Sequence, residues 1–155
     1  MTSHITPAPV RKAIEVKATP ERAFEVFTAH MGRWWIKSHS INSSPQQDVV
    51  IEPRTGGRWY ERGSDGSECP WGHVIAWDPP RRIVLAWQLD AEWRFDSTLV
   101  TELEVRFIPR EDGITRIELE HRNLDRFGAK AEETRTALDS DGGWTGLLKV
   151  YADAV

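Results

Sequence analysis

Residues 99–122, LVTELEVRFIPREDGITRIELEHR, decide the fold. Leu99, Leu103, Val105 and Phe107 share one side, and Glu102, Glu104 and Arg106 take the other. After the turn Glu111-Asp112-Gly113, Ile117, Leu119 and His121 alternate with Arg116, Glu118, Glu120 and Arg122. A period of two over both segments predicts paired antiparallel strands with one covered face and one wet face. The covered face needs something to cover it.

Upstream, Arg82 to Leu89 alternates in the same way, with Ile83, Leu85, Trp87 and Leu89 together. Cys69 to Trp77 alternates too, placing Trp71, His73 and Trp77 at one parity, until Asp78-Pro79-Pro80 stops it, because proline cannot donate to a ladder. Val49–Glu52 and Arg58–Arg62 flank Pro53-Arg54-Thr55-Gly56-Gly57, a hairpin turn, and Ser64-Asp65-Gly66 makes another. Near the start, Val10–Ala18 reads as a half-buried strand. Thr19-Pro20-Glu21 then opens a helix, with Thr as N-cap and Pro at the first helical position. Ala23, Phe24, Phe27 and Met31 continue it to a stop at Gly32, and Trp34-Trp35 enter a turn or second short helix. Residues 37–47 read as a surface loop.

Downstream, 125–138 is polar with a short helix. Trp144, Leu147, Leu148, Tyr151 and Val155 then form one apolar stripe on a last helix, with Asp139, Ser140 or Asp141 as its expected cap. This stripe is the longest apolar face available to cover the sheet. Six to seven strands with segregated helices make an α+β domain. Residues 1–9 read as a flexible arm, and 10–155 as a single domain.

Composition sets the outer limits. The chain has 155 residues, 39% hydrophobic and 28% charged, which is globular and sized for one domain. Its net charge is −4, with acids and bases interspersed, so no nucleic-acid partner is expected. Its one cysteine, Cys69, excludes a disulfide framework. No run approaches the roughly 18 apolar residues of a membrane span. MTSHITPAPV lacks the apolar core of a signal peptide, so a cytoplasmic location is expected. The eight tryptophans are the unusual feature. They either fill a core or line a hollow that smaller side chains would close.

Several short motifs stand in a characteristic order: Val16-x-Ala18-x-Pro20-Glu21-x-Ala23-Phe24, Gly56-Gly57-Arg58-Trp59, Trp71-Gly72-x-Val74, Trp77-Asp78-Pro79-Pro80-Arg81-Arg82 and Gly143-Trp144. Together they resemble the START-like (SRPBCC) superfamily, and within it the branch of homologues of the activator of the heat-shock protein 90 ATPase. The resemblance runs from about Val10 to Val155. It implies a helix-grip fold, a curved antiparallel sheet wrapped around a long C-terminal helix with a cavity between them. Members of the superfamily bind lipids, sterols, polyketides and other hydrophobic small molecules, and some are cyclases, aromatases or hydrolases.

The reactive side chains add little. His4, His30, His39, His73 and His121 show no i, i+4 pair, and neither H-E-x-x-H nor C-x-x-C occurs, so no metal and no cofactor are expected. Asp139-Ser140-Asp141-Gly142 is not a calcium loop, because Val150 stands where the bidentate acid would be. Cys69 reads as a small strand residue. Glu102, Glu104, Glu118 and Glu120 read as the solvated face.

The expected function is therefore binding of a hydrophobic, aromatic or polycyclic small molecule between sheet and last helix. The site residues are Trp35, Trp59, Trp71, His73, Trp77, Trp87, Phe107, His121, Trp144, Leu147 and Tyr151, and no catalytic residue is assigned. One alternative is a cyclase or hydrolase using His121 as base. Another is a chaperone-associated or regulatory interaction module, which would show an exposed apolar patch. The curved sheet leaves an edge or back face free for a homodimer.

Overall fold

Thr19 sets the first corner of the fold. Its hydroxyl accepts the amide of Arg22 at 3.2 Å, and Pro20 fills the first helical position. In the structure, a computed structural model describing residues 7–155 with all side chains but that of Ser38, β1 (Val10–Val16) leads through this cap into α1 (Pro20–Thr28). Residues 1–6 of the expected N-terminal arm lie outside the described residues. The carbonyl of Ala8 accepts from Arg135 at 2.6 Å.

The first helix ends at Thr28, not at Gly32. Gly32 lies inside a separate four-residue helix, α2 (Met31–Trp34). A Cβ on Gly32 would stand 1.9 Å from Oδ1 of Asp48, so this glycine lets α2 press against the strand that carries Asp48. That strand, β2 (Gln46–Ile51), begins three residues before the sequence pattern suggests. β3 (Arg58–Gly63), β4 (Glu68–Asp78), β5 (Arg82–Trp87), β6 (Thr101–Pro109) and β7 (Thr115–Arg122) follow. The chain then closes with α3 (Ala131–Asp139) and α4 (Trp144–Ala154).

All seven strands form one antiparallel sheet in the order β1-β7-β6-β5-β4-β3-β2. Its inner face carries the predicted apolar set. Ile14 opposes Ile117, Val105 opposes Leu119, and Leu85 opposes Leu103. The stripe of α4 (Trp144, Leu147, Leu148, Tyr151) is buried against that face. This is the helix-grip architecture. The expected side-chain cap of the last helix is absent: Gly143 is its N-cap, and Asp139 instead pairs with Lys12 at 2.8 Å. Gly143 is the only residue type that fits there, since a Cβ would meet the carbonyl oxygens of Leu138 and Ala137 at 2.3 and 2.5 Å.

The outer face is less wet than the alternation suggests. Glu104 is 4% exposed, because Arg82, Arg106 and Arg122 lie over it from three strands. Their long stems also help to cover Val84 and Ala86, which face the same way. No helix among the described residues is long and apolar enough to cross a membrane.

Candidate functional site

Five indoles close a ring inside the sheet. Trp35 meets Trp71 with centroids 4.7 Å apart, Trp71 meets Trp59 at 5.4 Å, and Trp59 meets Trp87 at 5.7 Å. Trp87 meets Trp144 at 5.7 Å, and Trp144 returns to Trp35 at 6.0 Å. Most of these contacts are edge-to-face, the arrangement favoured by the aromatic quadrupole. The other half of the interior is solid: Phe24, Phe27, Phe107, Trp34 and Tyr151 pack on one another at 5.1–5.8 Å beneath the C-terminal half of α4.

The hollow is therefore displaced to one end. A cleft of about 620 Å³ lies between the ring, the N-terminal turn of α4 and the end of α3. Trp35, Trp71, Trp87, Trp144 and Leu147 line it, as the sequence suggests. Ile41, Leu89 and Leu138 complete the apolar wall, and Glu92, Trp93 and Arg94 stand at its edge.

Six expected site residues do not line the cleft. Trp59 is wholly buried beneath Trp71 and Trp87. Phe107 and Tyr151 belong to the solid half, where the Tyr151 hydroxyl donates to the carbonyl of Ala23 at 2.7 Å and burial raises the phenol's pKa. Trp77 is half-buried edge-on to Phe24. His73 is turned away from Trp71, despite their shared parity. The cause is a pair of bulges in β4: Tyr60 opposes Pro70 while Trp59 opposes Gly72, leaving Trp71 as an extra residue, and Ile75 is extra between Val74 and Ala76. Trp71 and Trp77 thus reach the inner side while His73, opposite Ala86, meets Gln88 at 2.9 Å.

His121 is the sixth, and it sits behind the wall. Trp144 donates its indole N–H to Nδ1 of His121 at 3.2 Å, which leaves the ring proton on Nε2. Nε2 then donates to Oγ1 of Thr101 at 2.8 Å, and the Thr101 hydroxyl donates to the carbonyl of Trp87 at 3.3 Å. Burial holds the imidazole at a pKa of about 3, so it stays neutral. With both nitrogens engaged and no surface on the cleft, His121 ties two wall residues together. It is not placed as a general base.

The polar rim is built from one buried acid. Glu61, fully buried, accepts the Ser40 hydroxyl and the Ile41 amide, the latter at 2.9 Å, and so fixes the 40–41 segment against the cleft. His39 donates from Nε2 to the carbonyl of Gly142 at 2.7 Å, joining that segment to the entry of α4. The indole N–H groups of Trp35, Trp59 and Trp71 are buried without an acceptor among the described residues. No three His, Cys, Asp or Glu side chains converge as a metal site there.

Sequence reasoning missed Ile41, Trp93 and Leu138. Ile41 and Trp93 lie in segments without periodicity, and Leu138 ends a helix whose polar composition conceals its buried side.

The family model for activator of Hsp90 ATPase homolog 1-like proteins matches residues 17–152. Among solved structures, the anthrahydroquino-γ-pyrone synthase Txn09 complexed with SUM is 37% identical, over 97% of this chain and 98% of that one, with a TM-score of 0.67. The self-sacrificing resistance protein CalC from Micromonospora echinospora is 30% identical over 95% and 93%, with a TM-score of 0.72. The Aha1 dimer from Colwellia psychrerythraea shares the fold at 16% identity over 96% of each chain, with a TM-score of 0.62. No curated protein matches the chain.

Proposed function

The chain belongs to the family of activator of Hsp90 ATPase homolog 1-like proteins, and from that premise we propose that it binds a hydrophobic aromatic or polycyclic small molecule in the cleft beside the N-terminal half of α4. The observation that carries this reading is the wall itself: four indoles wall a cleft of about 620 Å³ and a fifth, Trp93, stands at its edge, a volume within the usual range for small-molecule sites. Apolar burial would supply roughly 25 cal/mol per Å². Similarity to a synthase complexed with a ligand and to a resistance protein supports the same reading.

The test is calorimetric titration with 9,10-anthraquinone-2-sulfonate as a flat, oxygen-bearing probe. The wild-type protein should bind it. Ala137→Trp, an exposed α3 position on the cleft, should block the cleft and abolish binding at unchanged melting temperature. Failure of the wild-type protein to bind, or equal binding by the blocked variant, would remove the reading.

A second reading is favoured by the 37% identity to a synthase: the cleft transforms its ligand as well as holding it. Since His121 is sealed behind the wall, turnover would depend on how the cleft positions the reacting molecule. Chromatography of ligand recovered after incubation separates the two readings. Unchanged ligand supports binding alone, and a new product supports turnover.

A further inference from the structure

Trp93 is exposed where tryptophan is rarely left in water. Among the described residues the exposed large hydrophobic side chains are Trp93 at 44%, Phe95 at 40% and Val150 at 38%, and the first two share one turn at the cleft edge. The backbone of Trp93 is left-handed, with φ of 63°. For a bulky residue this is an outlier that persists only where the surroundings impose it.

Asp90 imposes it. One carboxylate oxygen, Oδ1, accepts the amides on both sides of Trp93, from Glu92 and Arg94, each at 2.9 Å. The Trp93 amide donates to the Asp90 carbonyl at 3.0 Å, and the Asp90 amide to the Arg94 carbonyl at 2.8 Å. A bridge between Leu89 and Phe95 closes the base of the turn. The turn is thus held shut around a strained residue whose side chain the core does not use. That indole sits 6.3 Å from Trp87 at an interplanar angle of 75°, beside the cleft wall.

Building on the binding reading above, we propose that Trp93 is the specificity-determining clamp of the cleft, covering one face of a planar aromatic ligand, and that Asp90 is its positioning residue. A flat π-system gains a stacking partner as well as buried area, whereas an alkyl chain gains area alone. The clamp therefore selects flat polycyclic ligands over aliphatic ones.

The test uses the intact protein and 9,10-anthraquinone-2-sulfonate, with affinity read by calorimetry. Trp93→Gly removes the ring and suits the left-handed backbone, so the fold is undisturbed. It should weaken binding about three- to tenfold at unchanged melting temperature. Trp93→Phe should bind within twofold of wild type, and Trp93→Leu should be as weak as Trp93→Gly. Asp90→Ala should weaken binding, and Asp90→Ala combined with Trp93→Gly should be no weaker than Trp93→Gly alone, because Asp90 acts through Trp93. Wild-type affinity in Trp93→Gly would overturn the clamp while leaving the cleft reading intact. Wild-type affinity in Trp93→Leu would overturn the aromatic selection, and additive losses in the double variant would overturn the role of Asp90. A wild-type protein that binds no probe would overturn the cleft reading, and the clamp with it.

Discussion

The indole of Trp144 and the imidazole of His121 are joined by one hydrogen bond of 3.2 Å, and its direction fixes which nitrogen of the histidine carries the proton. Trp144 can only donate, so Nδ1 must accept and Nε2 must donate onward to Thr101. Protonation would turn Nδ1 into a second donor facing the Trp144 N–H.

A pH dependence follows from this pair. The folded-state pKa of His121 is depressed from its ordinary 6.5 to about 3, so below 6.5 the unfolded chain takes up a proton that the native protein refuses. Stability contributed by the neutral ring is complete above about pH 6.5 and declines as pH falls from there toward 3. Urea denaturation at pH 7.5, 6 and 5 should show this decline, and His121→Gln should flatten it between pH 6.5 and 5.

Glu104 governs a lower window. Burial alone would raise its carboxyl, but hydrogen bonds from Arg82, Arg122 and Arg106 outweigh that and hold it at about 2, below its ordinary 4.5. Its contribution is present above pH 4.5 and is lost as pH falls toward 2. Glu104→Gln should cost on the order of 1–3 kcal/mol at pH 7. It should also reduce the slope of stability against pH below 4.5, measured by the same denaturation.

Gly72 admits no side chain. A Cβ there would stand 1.7 Å from the carbonyl oxygen of Ala86, at the bulge that turns Trp71 inward. Gly72→Ala should destabilise the protein by about 1–3 kcal/mol or more. It should also change the near-ultraviolet circular dichroism of the indole ring, since Trp71 lies next in the chain.

Glu61 holds the rim. Glu61→Ala strands the Ile41 amide and the Ser40 hydroxyl and should cost about 1–3 kcal/mol. Hydrogen exchange should rise at residues 40–42 and stay unchanged in β6 and β7.

Cys69 should be a sluggish nucleophile. Burial raises its thiol, and the charges of Glu61 and Asp65 raise it further. Alkylation by iodoacetamide at pH 7.5 should be slower than for a cysteine in a short peptide.

Strand and helix content were legible in the sequence because one-sided burial imposes period two on a strand and period 3.6 on a helix. The hairpin of β6 and β7 and the stripe of α4 are the clearest cases. Three cleft residues, Trp87, Trp144 and Leu147, were legible for the same reason: inward-facing apolar residues on elements that face each other must meet. Tertiary structure alone decided which part of that interior stayed open. Phe24 and Phe27 arrive from a distant helix and fill one half, while two bulges in β4 send Trp71 inward and His73 away. The placement of Trp93 at the edge of the cleft likewise rests on a backbone twist held by Asp90 hydrogen bonds. Periodicity records only which side of an element is covered. Where a void remains depends on side chains from remote segments competing for the same volume, and no local pattern encodes that competition.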